Sequence, residues 1–247
     1  MSTPALRARS QAGFEIRTLL SNGEQLLVSL LLPALALVGL AVGNTPDLGA
    51  GRRIDIVVPS VLALAVVSTA FTGQAISTGF DRRYGVLRLL GVTPLGRSGL
   101  LAGKALAVVV IVALQTVVLG ILGACFGWHP DPLGVVVGLL LMLLGTWTWV
   151  ALALLISGVL RAEAVLAVAN LLWVLFAGVG GLLLPTDKFP GAAGAILRLL
   201  PSGSLGDGLR DAMTGHFSSL AEPVVVLFVW GAAATALTAA TFRWDDR

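Results

Sequence analysis

Few residues in this 247-residue chain are of a type and spacing that do chemistry. There are two histidines, one cysteine and, among sixteen basic residues, only two lysines, Lys104 and Lys188. His129, His216 and Cys125 share no zinc-like spacing, and a single cysteine excludes an intrachain disulfide. A phosphate-binding loop needs a glycine-rich turn followed by Lys and then Ser or Thr. Here Ala105 follows Lys104 and Phe189 follows Lys188, so no ATPase site is expected. Intramembrane serine proteolysis needs a histidine at depth, whereas His129 and His216 fall in polar connections. Lipid-processing chemistry needs carboxylates or basic groups clustered at one helix end, and none cluster in that way. The expectation is a chain without catalysis, cofactor or metal of its own.

The elements that must position these residues follow from composition. Hydrophobic residues make up 57% and charged residues 12% of the chain, with a mean hydropathy of +0.95. A soluble domain carries roughly a quarter of charged residues to clothe its surface, so soluble enzymes, secreted scaffolds and nucleic-acid binders are excluded. A bilayer core needs about 20 apolar residues of helix. Six stretches qualify, at 25–43, 57–78, 102–124, 133–157, 164–184 and 223–241. Runs such as 135–144 do not alternate as barrel strands must. The predicted fold is all-α, a single transmembrane domain of six spans with both termini cytoplasmic.

Orientation rests on the placement of Lys and Arg. With a cytoplasmic N-terminus, eleven of the sixteen basic residues fall inside, leaving Arg52, Arg53, Lys188, Arg198 and Arg210 outside. The acids then leave a net +5 inside and −2 outside, so the sequence pI of about 9.7 reports topology, not nucleic-acid binding. The first stretch follows mixed polar residues and is too long for a signal-peptide core, so it is read as a retained span. Residues 1–24 mix Leu6, Phe14 and Ile16 with Arg7, Arg9 and Arg17, which suits either a helix on the inner membrane surface or an ordinary basic flank. The connection 185–222 is too long for a passive loop. Its semi-apolar middle, 192–200, is too short to span and is expected to dip into the outer leaflet as a re-entrant helical hairpin.

Reading the six cores finds no ionisable residue, which a gradient-driven carrier would need. What lies at depth is neutral. Phe71, Thr72, Gln74, Trp147, Trp149, Asn170, Trp173 and Phe176 are candidates for lining a path for an amphipathic or apolar substrate, although the same residue types also serve helix packing. Gly39-x-x-x-Gly43 and Gly134-x-x-x-Gly138 read as close helix contacts.

The most informative stretch is the basic segment 80–101 between the second and third spans. Val86, Leu87, Leu89 and Leu90 alternate with Gly85 and Arg88 as in a short amphipathic helix, which Gly91, Thr93 and Pro94 end before a new helix begins beyond Gly96. Arg82-Arg83-Tyr84-Gly85-Val86-Leu87, Thr93-Pro94-Leu95 and Gly103-Lys104, with Gly180-Gly181, Pro185, Pro190 and Pro201 later in the chain, resemble the motifs of membrane subunits of type-2 ABC exporters. These are bacterial drug, lipid and polysaccharide export permeases of the cell membrane. Where many such subunits have an acidic residue ahead of the glycine, this chain has Arg83, leaving Asp81 as the only nearby carboxylate.

The resemblance implies an ATP-driven exporter of a drug, antibiotic or lipid-like molecule. The partners it implies are a separate ABC ATPase subunit carrying ATP and Mg, a second permease subunit of the same or a homologous chain, and membrane lipids. ATPase coupling would fall on Asp81, Arg82, Arg83, Tyr84, Gly85, Leu87, Arg88, Leu89, Thr93, Pro94 and Arg97. The arginines are equally suited to holding anionic lipid. Two alternatives stay open: a haem or cytochrome-maturation export permease, with His129 or His216 as its ligands, and a membrane scaffold without transport.

Overall fold

The computed structural model describes residues 13, 23–48, 51–91 and 96–242. The surface helix expected within 1–24 and the residues Thr93 and Pro94 lie outside that set, apart from the start of the first helix. Among the described residues all regular structure is helical. The helices are α1 (Gly23–Val42), α2 (Arg53–Val66), α3 (Gln74–Arg83), α4 (Val86–Gly91), α5 (Gly96–Cys125), α6 (Pro132–Val159), α7 (Ala162–Gly178), α8 (Ala192–Arg198), α9 (Pro201–Met213) and α10 (Ala221–Thr241), with a π turn, Val67–Gly73, joining α2 to α3.

Long runs of Val, Leu and Ala dictate this outcome, because in hydrocarbon every backbone N–H and C=O must be satisfied within its own segment. Four helices are long and apolar enough to cross a membrane: Arg53–Arg83, Gly103–Cys125, Pro132–Val159 and Phe217–Thr241. The second expected stretch is therefore the middle of a 31-residue pillar, about 46 Å long at the helical rise. The fifth is shorter than expected. Its helix stops at Gly178, with 179–184 in bends, so its 17 residues rise only about 26 Å. Ser29–Val42 is likewise apolar but short.

The pillar is the core. Its apolar window is 83% buried, against 33% for Gly103–Cys125 and 28% for Phe217–Thr241. Along α5, Leu106, Val110, Leu114, Val117 and Ile121 are exposed at helical spacing, and on α10 so are Val225, Phe228 and Val229. In a membrane this apolar girdle faces lipid or another subunit. Inside it, hydroxyls and amides cross-link the helices. Gln115 donates to the Ser29 carbonyl at 3.0 Å, and Thr148 donates to the Leu227 carbonyl at 2.9 Å.

At one end of the pillar α8 falls within the semi-apolar middle of the 185–222 connection, and α9 begins only where that middle ends. It is nearly all buried despite its polar sequence, packed against α2, α6 and α10. Small residues allow this. A side chain on Gly134 would meet the Ala212 carbonyl and, at 3.1 Å, the Met213 Cα, and one on Gly145 would meet Leu205 at 2.7 Å. The second glycine motif thus makes the close contact read from it. The first does not: Gly39 is exposed with nothing near its absent side chain, and Gly43 faces only its own chain's backbone.

Gly134→Leu is expected to destabilise the fold by about 2 kcal/mol through overpacking against α9. Gly39→Ala should stay within about 0.5 kcal/mol of the unaltered chain. Thermal or denaturant unfolding in detergent micelles reads both.

Candidate functional site

Two groups of polar residues stand at opposite ends of the pillar. The first is the elbow after Arg83. There α3 ends through Tyr84, and Gly85, at φ 71°, turns the chain into α4. This is the left-handed region that glycine enters without steric cost. The elbow's base is fixed by charge. Lys104, only 3% exposed at its side chain, places Nζ 2.7 Å from the Asp81 carboxylate, tying the start of α5 to the end of α3. Buried Arg82 donates to the Leu160 carbonyl, satisfying a backbone group where α6 ends. Arg83 forms an ion pair with Glu163 in the first turn of α7.

Two expectations change here. Lys104 lies inside the third stretch, so that stretch does hold an ionisable residue, and a buried one. Its charge is tolerated because Asp81 neutralises it. Asp81 is not the only carboxylate at the elbow, since Glu163 comes to Arg83 from 80 residues away.

Above this base the elbow presents an amphipathic helix. Leu87 is 1% exposed and holds α4 down, whereas Tyr84 and Leu89 are 69% and 68% exposed. Phe80 stacks on Tyr84 with ring centroids 6.1 Å apart, and the Arg83 guanidinium lies 5.9 Å from the Tyr84 ring centre. Arg88 belongs to α4 and Arg97 to the first turn of α5.

The second group was not legible in the sequence. Arg210 of α9 is buried, with Nη1 donating to Ser60 Oγ at 2.8 Å and to the Leu182 carbonyl at 2.9 Å. Its Nη2 donates to the Gly181 carbonyl at 2.9 Å and meets the Asp207 carboxylate at 2.6 Å. Asp207 in turn accepts from the Thr186 hydroxyl, and Arg198 donates to that hydroxyl at 3.3 Å. One guanidinium thus pins α9 to the pillar and to the bend after α7. The paired glycines at 180–181 find their reason here. Gly181 has φ 84°, which exposes its carbonyl to Arg210, and Gly203 lies 2.8 Å from where its side chain would be. Beside this pin a cleft of about 560 Å³ opens, lined by Asp55, Asp187, Asp211, Glu222, His216 and Ser219 among others.

Of the path candidates, the fold brings together Phe71, Trp149 and Phe176. Their rings meet edge to face, at 5.3 Å between Phe71 and Trp149 and 5.2 Å between Trp149 and Phe176. Trp173 joins them through its indole N–H, which donates to Ser68 at 2.6 Å. Thr72 is on the same π turn as Phe71, and Gln74, just beyond it, donates to Thr78 at 3.1 Å. Two candidates lie elsewhere. Trp147 packs against Phe228 and Gly231 of α10, and exposed Asn170 donates to Leu166 in its own helix. The histidines are held locally, His129 against the Gly127 carbonyl and His216 against Thr214.

Fold and site together define a multi-pass helical membrane protein with a structured elbow at one end and a buried polar pin at the other. The sequence model of the family described as ABC-2 family transporter protein matches residues 51–240, and the chain belongs to that family. It is therefore the membrane, permease component of an ABC transporter, a component that works with an ABC ATPase subunit. Comparison with curated proteins gives no match.

Arg210→Met is expected to destabilise the fold by about 3–5 kcal/mol, because it strands Asp207 and two carbonyls in a buried setting. Arg210→Lys should recover only part of this, since an ammonium cannot reproduce the forked set of contacts. Unfolding midpoints of the two purified variants test the ordering.

Proposed function

We propose that this chain is the gate of an ATP-driven exporter that moves an amphipathic or apolar molecule out of a bacterial cell. In this reading it has six spans, cytoplasmic termini and a re-entrant hairpin, α8–α9, at the outer face. α1 and α7 would complete the six spans, their short apolar lengths extended by flanking residues or by local thinning of the bilayer. Two permease chains pair, each with an ATPase subunit that supplies the ATP and Mg sites.

The observation that carries the reading is the elbow. A short helix with Leu87 driven inward and Leu89 turned outward, preceded by exposed Tyr84 and standing on a base locked by Asp81–Lys104 and Arg82–Leu160, suits a rigid handle for a partner. A ligand at a distant site shifts an equilibrium only through contacts that differ between the two states. ATP-driven closure of the ATPases would push on α4, and the locked base would pass the push into α3, α5 and, through Glu163, α7. Thr93, Pro94, Arg88 and Arg97 belong to the same handle.

The path would run past Phe71, Trp149, Phe176 and Trp173, where aromatic faces and hydroxyls suit an uncharged or amphipathic substrate. Asn170 and Trp147, at the exposed surfaces of α7 and α6, would serve only where a second subunit covers them.

Tyr84→Ala combined with Leu89→Asp is expected to lower substrate-stimulated ATP hydrolysis of the assembled complex at least tenfold while membrane insertion persists. Unchanged stimulation would remove the elbow from the coupling route.

A further inference from the structure

We propose that the π turn Val67–Gly73 is the hinge of this molecule, the point where the two halves of the central pillar turn relative to each other. The pillar is one helix in outline, yet its two ends are held by different sets of polar contacts. The α2 half is held through Ser60 to Arg210, and so to α9 and the bend after α7. The α3 half is held through Asp81 to Lys104 of α5, through Arg82 to Leu160 and through Arg83 to Glu163 of α7. A straight α-helix between two such anchorages would transmit force as a rod. Here it is interrupted at mid-height by seven residues in π geometry.

A π turn closes i→i+5 bonds and is rare, occurring mostly as single-turn bulges in α-helices, frequently at functional sites. It takes up more residues per turn than an α-helix. Passing between the two geometries therefore rotates one flank against the other without breaking the helix.

Some of the polar side-chain atoms buried without a partner lie at or beside this turn, while Asp55 Oδ1 and Ser202 Oγ lie elsewhere. Thr72 Oγ1 on the π turn is buried without a hydrogen-bond partner, as is Trp149 Nε1, whose ring meets Phe71 of the π turn. Thr146 Oγ1, one helical turn before Trp149 on α6, is a third. Trp149 and Thr146 are 0% and 2% exposed. Buried polar groups are normally paired, so these are groups that a rearrangement at the turn could satisfy. The neighbouring hydroxyls are engaged instead. Thr69 donates to Gln115 of α5 at 3.0 Å, and Ser68 accepts from Trp173 of α7. A change at the π turn would therefore be felt at once by α5, α6 and α7. The hinge rests on the coupling reading only for what drives the α3 half; the hinge itself is tested without an ATPase.

Hydrogen exchange of the full chain in lipid nanodiscs decides it. The amides of 69–73 are expected to exchange at least tenfold faster than those of 58–66 and 75–82. Equal protection along 58–82 would overturn the hinge. Deleting Ala70 removes one residue from the turn and should restore α geometry, raising protection at 67–73 to that of the flanks and reducing substrate-stimulated ATP hydrolysis of the complex about tenfold. Full stimulation in a deletion variant that shows the raised protection would also overturn the proposal. If the deletion variant does not fold, the exchange pattern of the unaltered chain still decides between hinge and rod. Fast exchange at the π turn that does not respond to ATP and vanadate in the complex would keep the hinge and instead contradict coupling through the elbow.

Discussion

A cation withdrawn from solvent and paired at each end of one helix is the constraint on which the rest of this structure depends. Apolar helices in lipid have little reason to prefer one neighbour over another, since hydrocarbon tails are as apolar as leucine. Position must come from close packing and from the few polar bonds available. At one end Lys104 meets Asp81 and Arg82 meets the Leu160 carbonyl; at the other Arg210 meets Ser60, Asp207 and two carbonyls. Each cation would be costly to bury alone and is tolerated because it is paired. The consequence is a pillar with defined ends, around which weaker apolar contacts arrange themselves.

The two fastenings differ in kind. The Arg210 pin sits behind glycine contacts at Gly134, Gly181 and Gly203, where no side chain could be added without moving backbone. It joins pieces distant in sequence into one body. Among the described residues the elbow is fixed at its base, and Tyr84 and Leu89 are exposed. A rigid base beneath an uncovered apolar face is what a helix needs if a partner is to bear on it without being absorbed into the bundle. Membership of the ABC-2 family accords with that division of labour, for the energy source of such a transporter lies in another subunit.

Much of this was legible in the sequence because hydropathy is a strong signal. Each of the six apolar stretches holds a helix, the fifth only as far as Gly178, and the short helix after Arg83 follows from alternation of Val86, Leu87, Leu89 and Leu90 beside Gly85. α9 was hidden by its composition. Ser202, Gly203, Ser204, Gly206 and Asp207 carry no apolar signal, yet the small residues among them are what allow the helix to pack so closely. The Arg210–Ser60 bond spans 150 residues and leaves no local trace. The π turn, VSTAFTG, holds no proline, and its one glycine, Gly73, comes at its end and reads no differently from the other glycines of these spans. Gly39 and Gly43 have the spacing of a packing motif but face no partner helix among the described residues, whereas Gly134 and Gly138 face α9. Trp147 and Trp149 are two residues apart and so point to opposite sides of α6, one to α10 and one to the aromatic trio.

The central claim is that a P-loop ATPase bears on the outer face of α4. Its most direct test is site-specific photocrosslinking in membranes. A benzophenone maleimide is attached to Leu89→Cys in a chain whose native thiol is removed by Cys125→Ala. The account predicts a light-dependent adduct with the ATPase subunit, strengthened when ATP and vanadate trap the closed state, and no such adduct from the same probe at Phe217→Cys near the hairpin. Crosslinking of position 89 to lipid alone, or ATPase capture from position 217 instead, would contradict it.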